Sequence, residues 1–145
     1  MNLISHRGNL TGSVLGSENS PMYVRNAIQK GYDVEVDFWA GDNGLYLGHD
    51  FPTYQITEDF LSIHKNKLWI HCKNLEGLYY LSTTDYNYFW HQEDDYTLTS
   101  KGYIWTYPGR EVVYNSVIVC QDLVDSKKMS KQNIHGICSD YVGLL

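Results

Sequence analysis

Little in this sequence supports covalent bracing. The three cysteines, Cys72, Cys120 and Cys138, are odd in number, widely spaced and each set in an apolar strand-like run. That excludes a disulfide framework and a zinc spacing, and leaves buried, reduced thiols in a reducing compartment. Prolines also number only three, and no Pro-rich or low-complexity stretch divides the chain. Long apolar runs are missing as well. Nothing approaches the ~18–20 residues of a membrane span, and the opening Met-Asn-Leu-Ile-Ser-His-Arg-Gly lacks the apolar centre of a signal peptide, so a cytoplasmic protein is expected. Positive charge is in deficit: 11 Lys and Arg against 17 Asp and Glu give a net charge of −6. A nucleic-acid partner is therefore disfavoured, because releasing phosphate counterions requires a basic surface.

Apolar residues are ample at 43%, enough for one domain over residues 1–145. Thirteen tyrosines and four tryptophans supply amphipathic rings that suit a core, a pocket or a wet interface equally.

The chain is organised around residues 32–50. Alternation there sends Val34, Val36 and Phe38 to one face of a strand and Asp33, Glu35 and Asp37 to the other. Three carboxylates on one face repel one another, so either water or a cation must meet them. Oxygen-only ligation of this kind suits a hard divalent ion such as Mg²⁺ or Ca²⁺. A solvated edge-strand face is the plainer alternative.

Residues 2–5 read as a first buried strand that delivers His6 and Arg7 to its C-terminal end. Ser20-Pro21 supplies a helix cap and a first-turn proline, and Gly31 stops that helix, which makes a βαβ unit with the acidic strand. Gly41-Asp42-Asn43-Gly44 is a turn signal, after which a short strand ends at His49. Leu68-Trp-Ile-His-Cys72 is another strand, with His71 and Lys73 on one face. Further strands are expected before His91, around Trp105, over residues 116–120 and over residues 136–139.

About eight strand candidates with polar residues at their C-terminal ends point to an α/β fold, a compact (β/α)₈ TIM-type barrel. Eight units in 145 residues leave roughly 18 each, below the ~20 that a strand, a helix and two loops need. Several outer helices must then be reduced or missing, chiefly around residues 84–116, and a homo-oligomer is one way to cover the bare face.

The motifs His6-Arg7-Gly8, Glu18-Asn19-Ser20, Glu35-Val36-Asp37 and Asp42-Asn43-Gly44…His49-Asp50, in this order, resemble the N-terminal signature of glycerophosphodiester phosphodiesterases of the phospholipase-C-like superfamily. Ile104-Trp105-Thr106 and Gly136-Ile-Cys-Ser-Asp140-Tyr141 resemble the family's last two strands. The resemblance implies a (β/α)₈ barrel that cleaves phosphodiesters with a divalent metal, Mg²⁺ or Ca²⁺, or Mn²⁺. By position, Glu35 and Asp37 become metal ligands, His6 and His49 the general acid and base, and Arg7 a phosphate clamp that Glu18 and Asn19 orient. Lys73 matches a phosphate- or ligand-contacting lysine, and His91 and Trp105 are candidates for lining the pocket.

Two departures stand out. Where the family places a third carboxylate two residues before the lysine, this chain has His71, a poorer ligand for Mg²⁺ or Ca²⁺. Either the metal is held more weakly, or it is Mn²⁺ or Zn²⁺, or another acid such as Asp122 completes the set. The chain also falls well short of the usual barrel of about 250 residues. The expected activity is phosphodiester cleavage on a small-molecule substrate, and the alternative is a non-catalytic phosphate-binding module that keeps the barrel.

Overall fold

A computed structural model describes all of residues 1–145. The elements in chain order are β1 (Asn2–His6), α1 (Pro21–Gln29), β2 (Asp33–Gly41), β3 (Gly44–Leu47), β4 (Tyr54–Ile56), α2 (Glu58–His64), β5 (Leu68–Cys72), α3 (Leu75–Ser82), β6 (Tyr88–Trp90), β7 (Tyr96–Leu98), β8 (Ile104–Thr106), β9 (Ser116–Cys120), α4 (Leu123–Met129) and β10 (Gly136–Ser139), then a 3₁₀ turn at Val142–Leu144. No helix is long and apolar enough to cross a membrane.

Each helix begins where the side-chain chemistry asks it to. Ser20, Thr57, Asn74 and Asp122 all accept a hydrogen bond from a backbone N–H in the first turn of α1, α2, α3 and α4. Pro21 opens α1, where a missing N–H costs nothing.

The expected (β/α)₈ barrel does not form. Ten strands make one mixed sheet, curled into a half-barrel, with only four α-helices beside it. β1 lies at the centre, parallel to β2 and β10, and parallel pairing continues outward through β5 to β6 and through β9 to β8. Strand and helix fail to alternate in two places. β3 folds back antiparallel on the far half of β2 and β4 on β3, and β7 pairs antiparallel with β8. The stretch from β6 to β9 contains no helix at all. Apolar runs alone do not distinguish a hairpin strand from a barrel strand, so a count of such runs overstates the number of βα units.

Helices α1, α2 and α3 cover the outer face through a cluster that includes Val24, Phe38, Phe60, Leu61 and Leu81. Inside the curl, Ile4, Trp69, Phe89, Trp105, Val117 and Cys138 form a second cluster. β6 and β8 are not hydrogen-bonded to each other. Their rings meet instead, Phe89 stacking on Trp105 at 4.4 Å. All three cysteines are free and buried.

Candidate functional site

The acidic strand is buried on both faces, not on one. Val34, Val36 and Phe38 are sealed against the helices, while Glu35 and Asp37 are 2% and 0% exposed on the inner side. Asp33, the third acid of the alternation, lies at the other end of the strand, ion-paired with Lys67 at 3.0 Å and bonded by the Trp69 indole at 3.0 Å.

The turn after β1 aims one cation, Arg7, at those acids. Arg7 adopts φ 57° and Gly8 φ 94°, and a Cβ on Gly8 would lie 2.6 Å from the Tyr23 ring. Glycine is thus required, and the reversal projects Arg7 back over β2. Its Nε is 3.0 Å from Asp37 Oδ2, its Nη1 is 3.7 Å from Glu18, and its Nη2 is 2.7 Å from His49 Nδ1. His49 reaches this point because Gly48 precedes it, where any Cβ would collide with the Phe51 carbonyl.

Asn19, also at positive φ (64°), locks Asp37 from two directions. Its Nδ2 donates to Asp37 Oδ2 and its Oδ1 accepts from the Asp37 N–H, both at 2.9 Å. Glu18 instead braces Arg7 and accepts from Asn9 and Ser13. Lys73 lies 3.8 Å from Asp37 Oδ1.

Three potential ligand atoms converge at the centre of the cluster. Glu35, Asp37 and His71 each present one such atom, all within 4.8 Å of one another. His71 stacks flat on Phe89 at 5.2 Å and donates Nε2–H to the His91 carbonyl at 2.8 Å. A backbone carbonyl can only accept, so the neutral ring carries its lone pair on Nδ1. That nitrogen is 3.1 Å from Asp37 Oδ1 and 3.7 Å from Glu35 Oε1. Asp37 Oδ1 and Glu35 Oε2 are buried without a hydrogen-bond partner. Three electron-rich atoms facing one another inside protein require a positive charge between them, a proton or a metal cation.

His6 is held differently. Its Nδ1 is 2.8 Å from Asp140 Oδ1, which leaves Nε2 facing Glu35 Oε2 at 3.9 Å. Burial works to lower the His6 pKa, but the Asp140 hydrogen bond and the Glu35 charge outweigh it and the value rises. Burial and the Asp37 charge push Glu35 up. Asp37 is buried too, yet hydrogen bonds that His49 and His71 donate when they carry the added proton, together with the Arg7 guanidinium, hold it well below the usual carboxylate range.

A cavity of about 370 Å³ opens beside this cluster, at the C-terminal ends of the parallel strands. His6, Arg7, Glu35 and His71 line it together with Trp105 and Tyr107. His91 stands at the rim, stacked on Tyr107 at 6.2 Å.

The structure thus brings together every candidate residue named from the sequence motifs, with Trp105 the more deeply buried of the pocket-lining pair at 4% exposure. Asp122 is elsewhere, capping α4 through the Asp125 N–H at 2.8 Å. Sequence reasoning assigns no site role to Asp140 or Asn9. Asn9 is fully buried and ties Glu18 to Asp140 with one amide, at 2.7 and 2.8 Å. The signals for Asp140 are its position immediately after the last strand, where a loop cap is the plainer reading, and its place in the closing Gly136…Asp140-Tyr141 motif. Comparison of the chain with protein-family models, with curated proteins and with solved structures gives no match, so the geometry of the cluster is what any reading of this protein must rest on.

Proposed function

We propose that the chain is a metal-dependent phosphodiesterase acting on small glycerophosphodiester-like substrates, as its sequence motifs suggest. One observation carries this reading: Glu35, Asp37 and His71 each present a potential ligand atom within 4.8 Å of the others beside His6 and Arg7, and Glu35 Oε2 and Asp37 Oδ1 are buried with no hydrogen-bond partner. The donor set, two carboxylate oxygens and one imidazole nitrogen, fits Mg²⁺ or Ca²⁺ acceptably and Mn²⁺ better, since imidazole favours the softer ion. Such an ion supplies Lewis-acid stabilisation of the charge that builds on the phosphoryl oxygens.

The remaining chemistry belongs to side chains of the chain. Arg7 offers guanidinium donors to a non-bridging oxygen, with Glu18 and Asp37 fixing its plane. His6, anchored through Nδ1 by Asp140, offers Nε2 as the base that takes a proton from the attacking hydroxyl. His49 is the acid: as imidazolium it gives its Nε2–H to the leaving alkoxide and is left neutral, its Nδ1–H facing Asp37 Oδ2 at 3.5 Å. Water or a hydroxyl of the substrate itself can be the attacking group.

The test is turnover of bis-p-nitrophenyl phosphate and glycerophosphocholine with Mg²⁺, Ca²⁺ and Mn²⁺, for the wild type and His6→Ala. Metal-dependent release that His6→Ala abolishes supports the reading. Calorimetry should show ion binding that Glu35→Gln weakens. Equal ion affinity in Glu35→Gln removes the metal site, and ion binding without turnover of any diester leaves a phosphate-binding module.

A further inference from the structure

A cavity of about 490 Å³ is at the opposite end of the strands from the acidic cluster. Its lining comes from residues at or just before the N-terminal ends of β1, β2, β5, β6, β8 and β10, so the ladder that gathers the first site also gathers this one. We propose that it is a second ligand site, for a monosaccharide-sized hydroxy-carboxylate of the uronic-acid type.

One wall is aromatic. Tyr103 packs on His135 at 4.1 Å and on Trp69 at 5.0 Å. Behind it, Asp33 accepts from the Trp69 indole and from Asn2 and pairs with Lys67, so its carboxylate is already saturated and serves as a brace. At the rim, Lys65 and Asp85 neutralise each other at 2.9 Å. What remains is a set of polar heads with no protein partner: the side-chain amides of Asn66 and Asn87, the Tyr103 hydroxyl and the Lys101 ammonium all line the cavity and none makes a side-chain hydrogen bond or ion pair. Asn87 Oδ1 is buried and unsatisfied.

Each of these features selects part of the ligand. Side-chain amides both donate and accept, as do hydroxyl groups, so two amides in one pocket suit a polyol. An aromatic wall suits the apolar C–H face of a saturated ring. With Asp33 already paired to Lys67, Lys65 and Lys101 face one remaining acid, Asp85, so the lining keeps a net positive charge that suits a carboxylate. The net charge of −6 disfavours multiply charged anions. The volume is within the ordinary range for small-molecule pockets.

The site is tested by titrating glucuronate and, separately, glucose into ¹⁵N-labelled protein and into two variants of exposed residues, Lys101→Met and Asn66→Ala. Glucuronate should bind with a Kd on the order of 1 mM, the expectation for so small a ligand. Shifts should concentrate on Asn66, Asn87, Lys101, Tyr103 and His135. Lys101→Met should weaken glucuronate about tenfold and leave the weaker glucose binding unchanged, and Asn66→Ala should weaken both severalfold. Neither variant should alter ion binding at Glu35 or diester turnover, so this site and the proposed phosphodiesterase site succeed or fail separately. Absence of saturable binding, equal affinity for glucose and glucuronate, or indifference to Lys101→Met would each overturn the proposal.

Discussion

Asn19 offers the sharpest test of how the acidic cluster is held. The residue is 1% exposed, sits at φ 64°, and makes two 2.9 Å hydrogen bonds to Asp37, which is fully buried. Asn19→Gly removes both bonds without steric conflict. The lost bond to a charged carboxylate is worth about 1.5–3 kcal/mol, and the orphaned Asp37 N–H adds about 1 kcal/mol or more. A loss of roughly 3–4 kcal/mol follows, a large part of the stability of a domain this size. Asn19→Ala removes the same bonds but, unlike glycine, keeps a Cβ in the left-handed region, at about 1–2 kcal/mol. Glycine's greater freedom in the unfolded chain offsets part of that difference, so alanine should be worse than glycine by about 1 kcal/mol or less. Urea denaturation followed by tryptophan fluorescence measures both variants in the metal-free protein. If either variant loses less than about 1 kcal/mol, the bidentate lock on Asp37 is not what holds this strand against the turn after β1, and it is not the reason that asparagine occupies position 19.

Three further outcomes are expected. Asp140→Asn should leave the fold intact and lower kcat of the proposed diester cleavage by ten-fold or more with little change in KM, because the amide can still accept from His6 but no longer supplies the negative charge that supports it as a base; a raised KM with kcat unchanged would argue for a binding role instead. Phe89→Ala removes a ring that stacks on both His71 and Trp105, and should cost about 3–5 kcal/mol in denaturant titration. Tyr86 donates its hydroxyl to Glu58 at 2.6 Å, and burial together with that carboxylate pushes its pKa up to about 12. The unfolded phenol titrates near pH ~10, so the folded state keeps its proton longer and this contribution, complete below pH ~10, is lost as the pH rises toward about 12. Tyr86→Phe should be less stable at neutral pH and show a shallower decline across that window; parallel curves for the two proteins would refute the linkage.

Strand positions are legible because period-2 patterning is local. β1, β2, β5, β9 and β10 all form where alternating or continuous apolar runs stand, and Ser20, Thr57 and Asn74 mark their helices as short polar caps do. The direction in which strands pair is not local. Leu45–Leu47 and Tyr96–Leu98 read like any other short strand, yet the glycine turn before the first and the short connection between the second and β8 turn both antiparallel. The missing helices follow from the same economy of chain: residues 107–115 join two parallel strands as an irregular crossing, too few to carry a packed helix and its two loops.

At the site, Glu35, Asp37, His6 and His49 are readable because they lie on or just after strands that sit side by side in the sheet. The partnership of His6 with Asp140 spans nearly the whole chain and depends on β1 lying next to β10, which no short-range pattern encodes. The full burial of Asp33's neighbours Glu35 and Asp37 is likewise hidden, since an acidic face reads as wet until the sheet is seen to curl over it.

The contact between β6 and β8 has a consequence for which guests the half-barrel can admit. A peptide ladder fixes neighbouring strands in discrete steps, whereas two stacked rings slide over one another continuously. Above that contact His91 faces Tyr107, and no backbone bond ties the two strands across the gap. β6 is tied instead to the β7–β8 hairpin, where the Ser100 N–H donates to the Tyr88 carbonyl at 2.8 Å and the Thr97 hydroxyl to the Trp90 carbonyl at 2.9 Å, so the width of the cleft is set by those two ties together with aromatic side chains that a handful of substitutions could retune.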